Sequence, residues 1–472
     1  MSKKESDQVR IPGGTVHRTI GLLQKAVRLL NVDIEESTVE RIGIMINRAM
    51  SMQQRSFHTP EHIFDLANPE DAHGTLTALF HDIVYFQVDQ GFLPEIKELL
   101  NPYIIVSHGT VRIRGNIPGD DRAFFGTAGV FGFTPGKELS PFAGLNEFLS
   151  ALVMNILLEG ILKDVDLLIA TAGIEMTIPF RKPDKNGNCP PELLYERVVE
   201  LNKQFSLALT DQDIKKTVIA AVRFANRDVR NFSEEDPGSF LDNTWKLLPE
   251  SNPELMFQGL FTIRSYSTAL MKMEGFLGSL NPNAVFQRYG DFPEEGEYKL
   301  LLEHTATNLT TGALYLGIKM VSAAILLALA ELSGGDAPIS FFMGDINPED
   351  EWSRLSTHLP EAPDDSAGAT YKDRVLYRLL ETGRSGSSPF DLSNSPLSLF
   401  VYRCLSDEEI EQAIKASREF LKGNSEPRSC LNVVPAHLVE SIARAAAVMA
   451  FTRREKLLEI AEGYGGVRQQ TE

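Results

Sequence analysis

Four of the nine histidines lie within a stretch of 24 residues, at His58, His62, His73 and His81. A carboxylate, Asp82, directly follows the last of them. Imidazole nitrogens and carboxylate oxygens together make up ligand sets for Zn, Mn and Fe, and for Mg where oxygen ligands prevail. The cluster therefore predicts a divalent-metal site, with the identity of the metal left open among these four.

The doublet His81-Asp82 stands in an apolar stretch that includes Phe80, Ile83 and Val84. A buried carboxylate without a partner is costly in free energy, so a charged side chain here needs compensation. A bound cation would supply it, which makes both residues candidate ligands.

A distant carboxylate, Asp228, is anomalous in the same way. The spacing predicts a helix over residues 211–230. Its apolar stripe consists of Ile214, Val218, Ala221 and Ala225. Three residues further along this stripe lies Asp228, which is thus expected on the buried face. Spacing alone leaves two interpretations open, a metal ligand or an ion pair with Arg223, Arg227 or Arg230.

The elements that must position these residues are mostly predicted to be helical. Residues 16–50 have apolar positions at helical spacing and form one or two helices. Thr59-Pro60-Glu61 is a helix start, with Thr at the N-cap and Pro at the first helical position, and His62 follows it. A second helix is predicted from about Asp71 through Val88.

A different pattern occupies residues 103–144. Two short strands are predicted at 104–106 and 111–113, and a Gly- and Phe-rich stretch follows at 124–133. A long glycine-punctuated loop is often a lid or a binding loop. The alternative is an insertion that packs its phenylalanines onto the core.

The fold class predicted for the whole chain is mainly α. Residues 1–250 are expected to form a metal-binding domain with an insertion at about 103–144, and residues 251–472 a helical C-terminal region of unassigned role. A boundary is expected within Asn231–Pro253, and a loop or linker over Gly334–Tyr371, where the chain is acidic and rich in Pro and Gly.

Composition restricts the partners. A net charge of −18 disfavours a primary role in gripping nucleic acid, although a local metal still permits a small phosphorylated substrate. The three cysteines form no CxxC pair and Met1–Arg10 lacks an apolar secretory segment, so a cytoplasmic protein with reduced thiols is expected. The most apolar segment, Ala313–Leu332, is interrupted by Lys319 and is expected to be a core helix rather than a membrane span.

Two segments resemble the HD superfamily, in particular its predicted metal-dependent phosphohydrolases. SFHTPEHI (residues 56–63) is similar to the family's Tyr-His-Asn-x-x-His element, and ALFHDIVY (residues 78–85) to its Phe-His-Asp-x-x-Tyr element. The resemblance covers residues 55–86 and, loosely, 221–230. It implies an all-α, HD-domain-like helical bundle with a helical C-terminal extension. The ligand set that it implies is His62, His81, Asp82 and Asp228.

The same resemblance implies an activity, hydrolysis of a nucleotide or another small phosphoester by a metal-activated water. In the similar cyclic-nucleotide phosphodiesterases, the histidine four residues before the first ligand protonates the leaving oxygen, a place that His58 holds here. Asp82 or Asp228 would accept the proton of the water.

One of Arg55, Arg223 or Arg227 is expected to neutralise a phosphate oxygen. The alternatives are an HD-type protein without catalysis, which senses a nucleotide or acts as a scaffold, and an HD-type di-iron oxygenase. No nucleic-acid or membrane partner is expected, and the oligomeric state is left open.

Overall fold

Helix-forming residues dominate the chain, while alternating runs of β-branched residues are scarce. The computed structural model describes residues 13–257, 260–344, 354–361, 373–386 and 388–465. Within these ranges the chain folds into twenty α-helices and one small sheet, which confirms the predicted mainly α class.

The α-helices follow one another in this order: α1 (Thr15–Leu29), α2 (Glu36–Met50), α3 (Pro60–Leu66), α4 (Ala72–Phe80), α5 (Pro94–Leu100), α6 (Arg122–Phe131), α7 (Leu145–Leu158), α8 (Asp164–Met176), α9 (Pro190–Phe205), α10 (Asp211–Asp228), α11 (Pro237–Ser251), α12 (Ile263–Ser279), α13 (Glu295–Ser333), α14 (Ile339–Met343), α15 (Arg374–Thr382), α16 (Pro396–Cys404), α17 (Asp407–Leu421), α18 (Pro427–Leu431), α19 (Ala436–Met449) and α20 (Arg454–Gly465).

The chain divides into two compact units. Unit 1 contains Met1–Arg230 and Asn281–Leu302, and unit 2 contains Asn231–Leu280 and Glu303–Glu472. This division differs from the sequence-based boundary at residue 250, because the chain leaves unit 1 at residue 230 and returns to it for one short segment. Part of the segment expected to be a boundary is helical, as α11.

The core of unit 1 is built around α8, which contacts α4, α6, α7, α9 and α10. The two helices expected over residues 16–50 are confirmed as α1 and α2, which pack on each other and, through α1, on α4. Phe80, Phe124 and Phe148 are fully buried in this one hydrophobic cluster. The helices that carry the histidine and carboxylate residues therefore belong to a single core.

The Gly- and Phe-rich stretch is a helix rather than the loop expected from its glycines. The side chain of Asp121 caps α6 by accepting a hydrogen bond from the Phe124 N–H (2.8 Å). Gly132 ends the helix in the left-handed region, at a φ of 65°. Phe124 and Phe131 are buried in the core of unit 1, so the interpretation as a lid or binding loop is wrong and core packing is observed.

The two strands expected before this stretch are confirmed as β1 (Ile104–Ser107) and β2 (Thr110–Ile113). They are antiparallel, and β3 (Glu138–Leu139) adds to the other edge of β2. Val111 and Ile113 are fully buried. Residues 103–144 thus form part of the core of unit 1.

The long helix α13 provides buried side chains of unit 2, among them Tyr315. By length and composition alone it could cross a membrane, but its most apolar window is 89% buried within the structure, as expected for a core helix. The linker expected over 334–371 falls partly on residues 345–353 and 362–371, which lie outside the described residues, as does the polar segment Met1–Arg10.

Candidate metal centre

Three helix ends in unit 1 carry the predicted ligands. His62 lies in the first turn of α3, which begins after Thr59 with Pro60 at its first position, as the sequence predicts. His81 is the C-cap residue of α4, and Asp228 is the last residue of α10. Because α3 contacts both α4 and α10, the three ends lie close together.

The donor atoms of the four predicted ligands converge. His62 Nε2 lies 3.0 Å from Asp228 Oδ1, and His81 Nε2 lies 2.9 Å from Asp82 Oδ2. The two Nε2 atoms are 3.4 Å apart, and each imidazole is 3.7 Å from the other carboxylate. One donor atom each from His62, His81 and Asp228 can be chosen within 4.8 Å of one another, and Asp82 joins them through its contacts with both imidazoles.

The separations among His62, His81 and Asp228 fit a single metal ion, and Asp82 lies within 3.7 Å of both imidazoles. Nitrogen and oxygen ligands bound at about 2.0–2.2 Å from one cation stand roughly 3 to 3.5 Å apart in tetrahedral or octahedral arrangements. The second ring nitrogen of His81 supports this assignment, since Nδ1 lies 3.0 Å from the carbonyl oxygen of Ala78 and donates to it. Such a bond fixes the tautomer that leaves Nε2 as the ligand atom.

The site has the electrostatics of a cation site. Burial disfavours ionisation of Asp82, but the imidazoles of His81 and His58 outweigh burial and hold the pKa of Asp82 well below its usual range. Burial likewise opposes ionisation of Asp228, and the hydrogen bonds with His62 and His81 lower the pKa of Asp228 to about 2. Burial also disfavours charge on His81, yet the facing carboxylates raise its pKa well above the ordinary value. Two ionised carboxylates therefore meet at this point.

The turn after the doublet is clamped from two sides. The helix expected through Val88 ends at Phe80, and beyond it the Asp82 carbonyl and the N–H groups of Val84 and Phe86 bond to side chains. On one side, α7 provides Ser150, whose Oγ accepts from Val84 N–H, and Asn146, whose Oδ1 accepts from Phe86 N–H (both 3.0 Å).

Arg55 forms the other side of the clamp. Its guanidinium makes a two-point ion pair with Asp89 (2.9 and 2.6 Å) and donates to the carbonyl oxygen of Asp82 (2.7 Å). The side chain has no exposed surface. The prediction that Arg55 binds substrate is therefore corrected: it positions the backbone of Asp82.

His58 lies at the edge of the cluster and is partly exposed. Its ring meets the ring of Tyr85 edge-on, with centroids 4.6 Å apart, and stands 5.9 Å from the ring of His62. The fourth histidine of the sequence cluster, His73, pairs with Asp166 on α8 (2.9 Å). The structure thus assigns the four histidines different surroundings.

The two arginines on α10 also differ. The exposed Arg223 lies over the ring of Phe292, 4.8 Å from its centroid. Arg227 is half-buried; desolvation lowers its pKa, and its buried Nε has no hydrogen-bond partner among the described residues. Arg227 also interacts electrostatically with Asp228, which makes it the better candidate for contacting an anion at the site.

The end of α10 is fixed by the segment that returns to unit 1. Asn226 Nδ2 donates to the carbonyl oxygen of Gln287, and the Gln287 N–H donates to Asn226 Oδ1, both at 2.8 Å. The contacts of Asp228 itself are with the imidazoles of His62 and His81, which favours the ligand interpretation over an arginine pair.

Sequence reasoning missed Glu147 on α7. Burial raises the pKa of Glu147 to about 7, and the nearby charges of Asp82 and Asp228 act in the same direction. Its Oε2 atom is buried and has no hydrogen-bond partner in the part of the chain that the structure describes. The signal was present in the sequence, because Glu147 is the single charged residue in the otherwise uncharged α7.

Comparisons of the chain with protein-family models, with curated proteins and with solved structures find no match.

Proposed function

We propose that unit 1 is a metal-dependent phosphohydrolase with an HD-type helical bundle, acting on a nucleotide or another small phosphoester. The observation that carries the proposal is the convergence of two imidazole nitrogens and two ionised carboxylates at spacings that suit one divalent ion. The bond from His81 Nδ1 to Ala78 adds the orientation expected of a ligand histidine.

The residues that would hold the ion are His62, His81, Asp82 and Asp228. A divalent ion bound there supplies an acidified water and polarises a phosphoryl oxygen. The carboxylates of Asp82 and Asp228 provide the negative charge that retains a cation, and Arg55 keeps Asp82 in place from behind.

Glu147 is the proposed acceptor of the proton from the attacking water. A base works best when its pKa lies near the operating pH, and burial raises the pKa of Glu147 to about 7 in the metal-free chain. Asp82 is the weaker base, because its pKa is held well below the usual range and its Oδ2 is engaged by His81. The proposal therefore moves the base role from Asp82 to Glu147 and keeps Asp82 as a ligand.

His58 is the proposed donor of the proton to the leaving oxygen, since it is partly exposed beside the ligand cluster. Arg227, which interacts electrostatically with Asp228, neutralises a phosphate oxygen. In this proposal His58 is the general acid and Arg227 the phosphate-binding cation.

The test combines metal analysis with turnover. The untagged chain is analysed for bound metals and then assayed on p-nitrophenyl phosphate and a nucleotide panel with Mn, Mg, Co and Zn. We expect bound divalent metal and a turnover that disappears in Asp82→Ala. The matched control is Asp65→Ala, which removes an exposed carboxylate from α3 and should change neither result.

Absence of hydrolysis with every metal would overturn the proposal. Tight nucleotide binding without metal or hydrolysis would instead favour the catalytically inactive sensor. Metal content that survives in His81→Ala would show that the ligand set is wrong.

A further inference from the structure

The turn between α6 and β3 carries an exposed cation, Lys137, that has no carboxylate partner among the described residues. Its Nζ lies over the ring of Phe133, 3.7 Å from the centroid. Partial burial and the charge of Arg197 lower the pKa of Lys137, so the charged group that acts on it is a second cation. An ammonium group held next to a guanidinium group favours the approach of an anion.

Arg197 on α9 shares a buried carboxylate with Arg181, which follows α8. Arg197 Nη2 donates to Glu175 Oε1 at 2.8 Å, and Arg181 Nη1 donates to the same oxygen at 2.5 Å. The side chain of Glu175 has no exposed surface, whereas those of Arg181 and Arg197 are 21% and 23% exposed. Arg181 also interacts electrostatically with Glu147, but burial favours the protonated form of that carboxyl. One ionised carboxylate thus serves two guanidinium groups.

The other carboxylates next to these cations in the sequence have partners elsewhere. Glu138, which follows the lysine, pairs with Arg112 (3.0 Å), and Glu200 on α9 pairs with Lys203 (3.9 Å). Three cations around one buried carboxylate leave an excess of about two positive charges. This excess stands in a chain whose net charge is −18, so it is a local feature and not a consequence of composition.

The turn leaves hydrogen-bond donors of this cluster available. Arg197 Nε donates to the carbonyl oxygen of Leu193 (3.0 Å), and Nη2 is taken by Glu175. A Cβ atom on Gly132 would lie 3.3 Å from Arg197 Nη1, which shows how closely the turn approaches the guanidinium. In the part of the chain that the structure describes, Arg197 Nη1 and the ammonium group of Lys137 have no acceptor.

We propose that Lys137, Arg181 and Arg197 form a binding site for a phosphate group, either free phosphate or the phosphate of a small ester. Lys137 Nζ and Arg197 Nη1 donate to its oxygens, and Arg181 adds positive potential from the far side of Glu175. A phosphate group carries about −1.5 to −2 charges near neutral pH and therefore balances the excess, whereas a carboxylate balances only half of it.

The site belongs to unit 1, but the inference does not depend on the proposed phosphohydrolase. None of the three cations is among the residues assigned as metal ligands. The site can therefore be tested on a chain whose metal centre has been removed.

The probes are inorganic phosphate, phenylphosphonate and acetate, titrated by calorimetry into the full chain near neutral pH and at constant ionic strength. Phenylphosphonate represents an ester, because its P–C bond is not hydrolysed. The chain carries His81→Ala and is stripped of metal, so that anions bound at the metal centre are not counted. We expect at least one phosphorus anion to bind saturably, with a dissociation constant at least about tenfold lower than that of acetate. The tighter of the two distinguishes free phosphate from an ester.

One pair of variants locates the site. Lys137→Met keeps an apolar contact with the Phe133 ring and should weaken binding of the phosphorus anion by about tenfold or more. The matched control is Lys203→Met, which removes the same charge from an exposed side chain of α9 and should leave binding unchanged. Because Lys137 is exposed, its replacement is expected to leave the fold intact, and circular dichroism checks this.

Three results would overturn the inference. Neither phosphorus anion binds saturably, both bind no more tightly than acetate, or Lys137→Met weakens binding no more than Lys203→Met does.

Discussion

At the scale of single residues, holding a metal and hydrolysing a phosphoester depend on different side chains. The ligand atoms of His62, His81 and Asp228 face one another and Asp82 contacts both imidazoles, whereas His58 stands beside them and contacts Tyr85. A donor to the leaving oxygen matters most when that oxygen is a poor leaving group. The choice of substrate therefore separates the two roles.

His58→Ala is expected to retain bound metal but to lower turnover of an alkyl phosphoester by about 10²–10⁴-fold. The loss on p-nitrophenyl phosphate should be much smaller, because p-nitrophenolate leaves without being protonated. Both substrates are assayed at saturation, with elemental analysis of the same samples. His17→Ala, which removes another exposed histidine, is the control. Loss of metal in His58→Ala would instead make His58 a ligand.

Glu147 predicts a pH dependence of stability in metal-free protein. The pKa of Glu147 rises on folding from 4.5 to about 7, because burial disfavours its ionised form. Between these values the folded chain holds a proton that the unfolded chain has released, so this group makes stability fall as pH rises through that window. Glu147→Gln removes the effect. The melting temperature of the variant minus that of the wild type should therefore increase from pH 5 to pH 8.

This comparison is made by circular dichroism in the presence of a chelator. A difference between the variant and the wild type that stays constant with pH would show that Glu147 titrates normally. The Glu147→Gln chain should also lose turnover while keeping its metal, which a purely structural role would not produce.

The residues that sequence could identify are those with a local signature. His62, His81 and Asp82 lie within 21 residues and break an apolar pattern, so type and spacing sufficed. Glu147 lies far along the chain, and its relation to the site arises only when α7 packs against the turn after Asp82. The role of Arg55 was misassigned because sequence does not show that Asp89 takes its guanidinium.

At the scale of elements, the turn after α4 is the part of the site that tertiary contacts create. Hydrophobic spacing predicts a helix that continues to Val88, but Arg55, Asn146 and Ser150 take the hydrogen bonds of this segment. Similarly, the glycines around α6 suggested a loop, but Asp121 and Gly132 cap a helix whose phenylalanines enter the core. The hydrophobic spacing predicts that a helix is present. Where the helix ends depends on hydrogen bonds from other side chains of unit 1.

Arg55→Met is expected to destabilise unit 1 by about 3–5 kcal/mol, because breaking a buried ion pair leaves an unpaired buried charge. The charge left behind would be that of Asp89, whose side chain is 8% exposed. Urea unfolding followed by circular dichroism measures the change. The metal should also bind more weakly, since Arg55 holds the backbone of Asp82.

The matched control is Arg48→Met, which breaks an ion pair with Glu95 whose two side chains are about half exposed. Exposed pairs contribute only about 0–1 kcal/mol, so this change should be small. Equal effects of the two substitutions would contradict the structural role assigned to Arg55.

At the scale of the whole molecule, sequence anticipated a mainly α chain but not the way in which it divides. Composition and helical periodicity show which segments prefer to be helical. Because both units are helical, these signals do not show where one unit ends and the other begins. The return of residues 281–302 to unit 1 is fixed by contacts such as the paired hydrogen bonds between Asn226 and Gln287, which are 61 residues apart. The interruption of α13 by Lys319 signalled a buried core helix, but a cavity beside Lys319 is formed by segments separated widely along the chain.

The two-unit division predicts that a divalent metal will stabilise the chain unevenly. All four ligand residues belong to unit 1, and a ligand at 100 times its dissociation constant stabilises the state that binds it by about 2.7 kcal/mol. Trp245 is buried in unit 2, and the experiment uses a Trp352→Phe background in which Trp245 is the one tryptophan of the sequence. Tryptophan fluorescence therefore reports on unit 2, while circular dichroism reports on the helices of both units.

Adding Mn²⁺ or Zn²⁺ should shift part of the urea transition seen by circular dichroism to higher urea and leave the fluorescence transition unchanged. In His81→Ala the circular dichroism shift should vanish, because the ligand set is broken while the helices of unit 2 are untouched. Equal shifts of both signals in the wild type would mean that the two units unfold together. A shift of fluorescence alone would place the metal in unit 2, and the assignment of His62, His81, Asp82 and Asp228 would then be wrong.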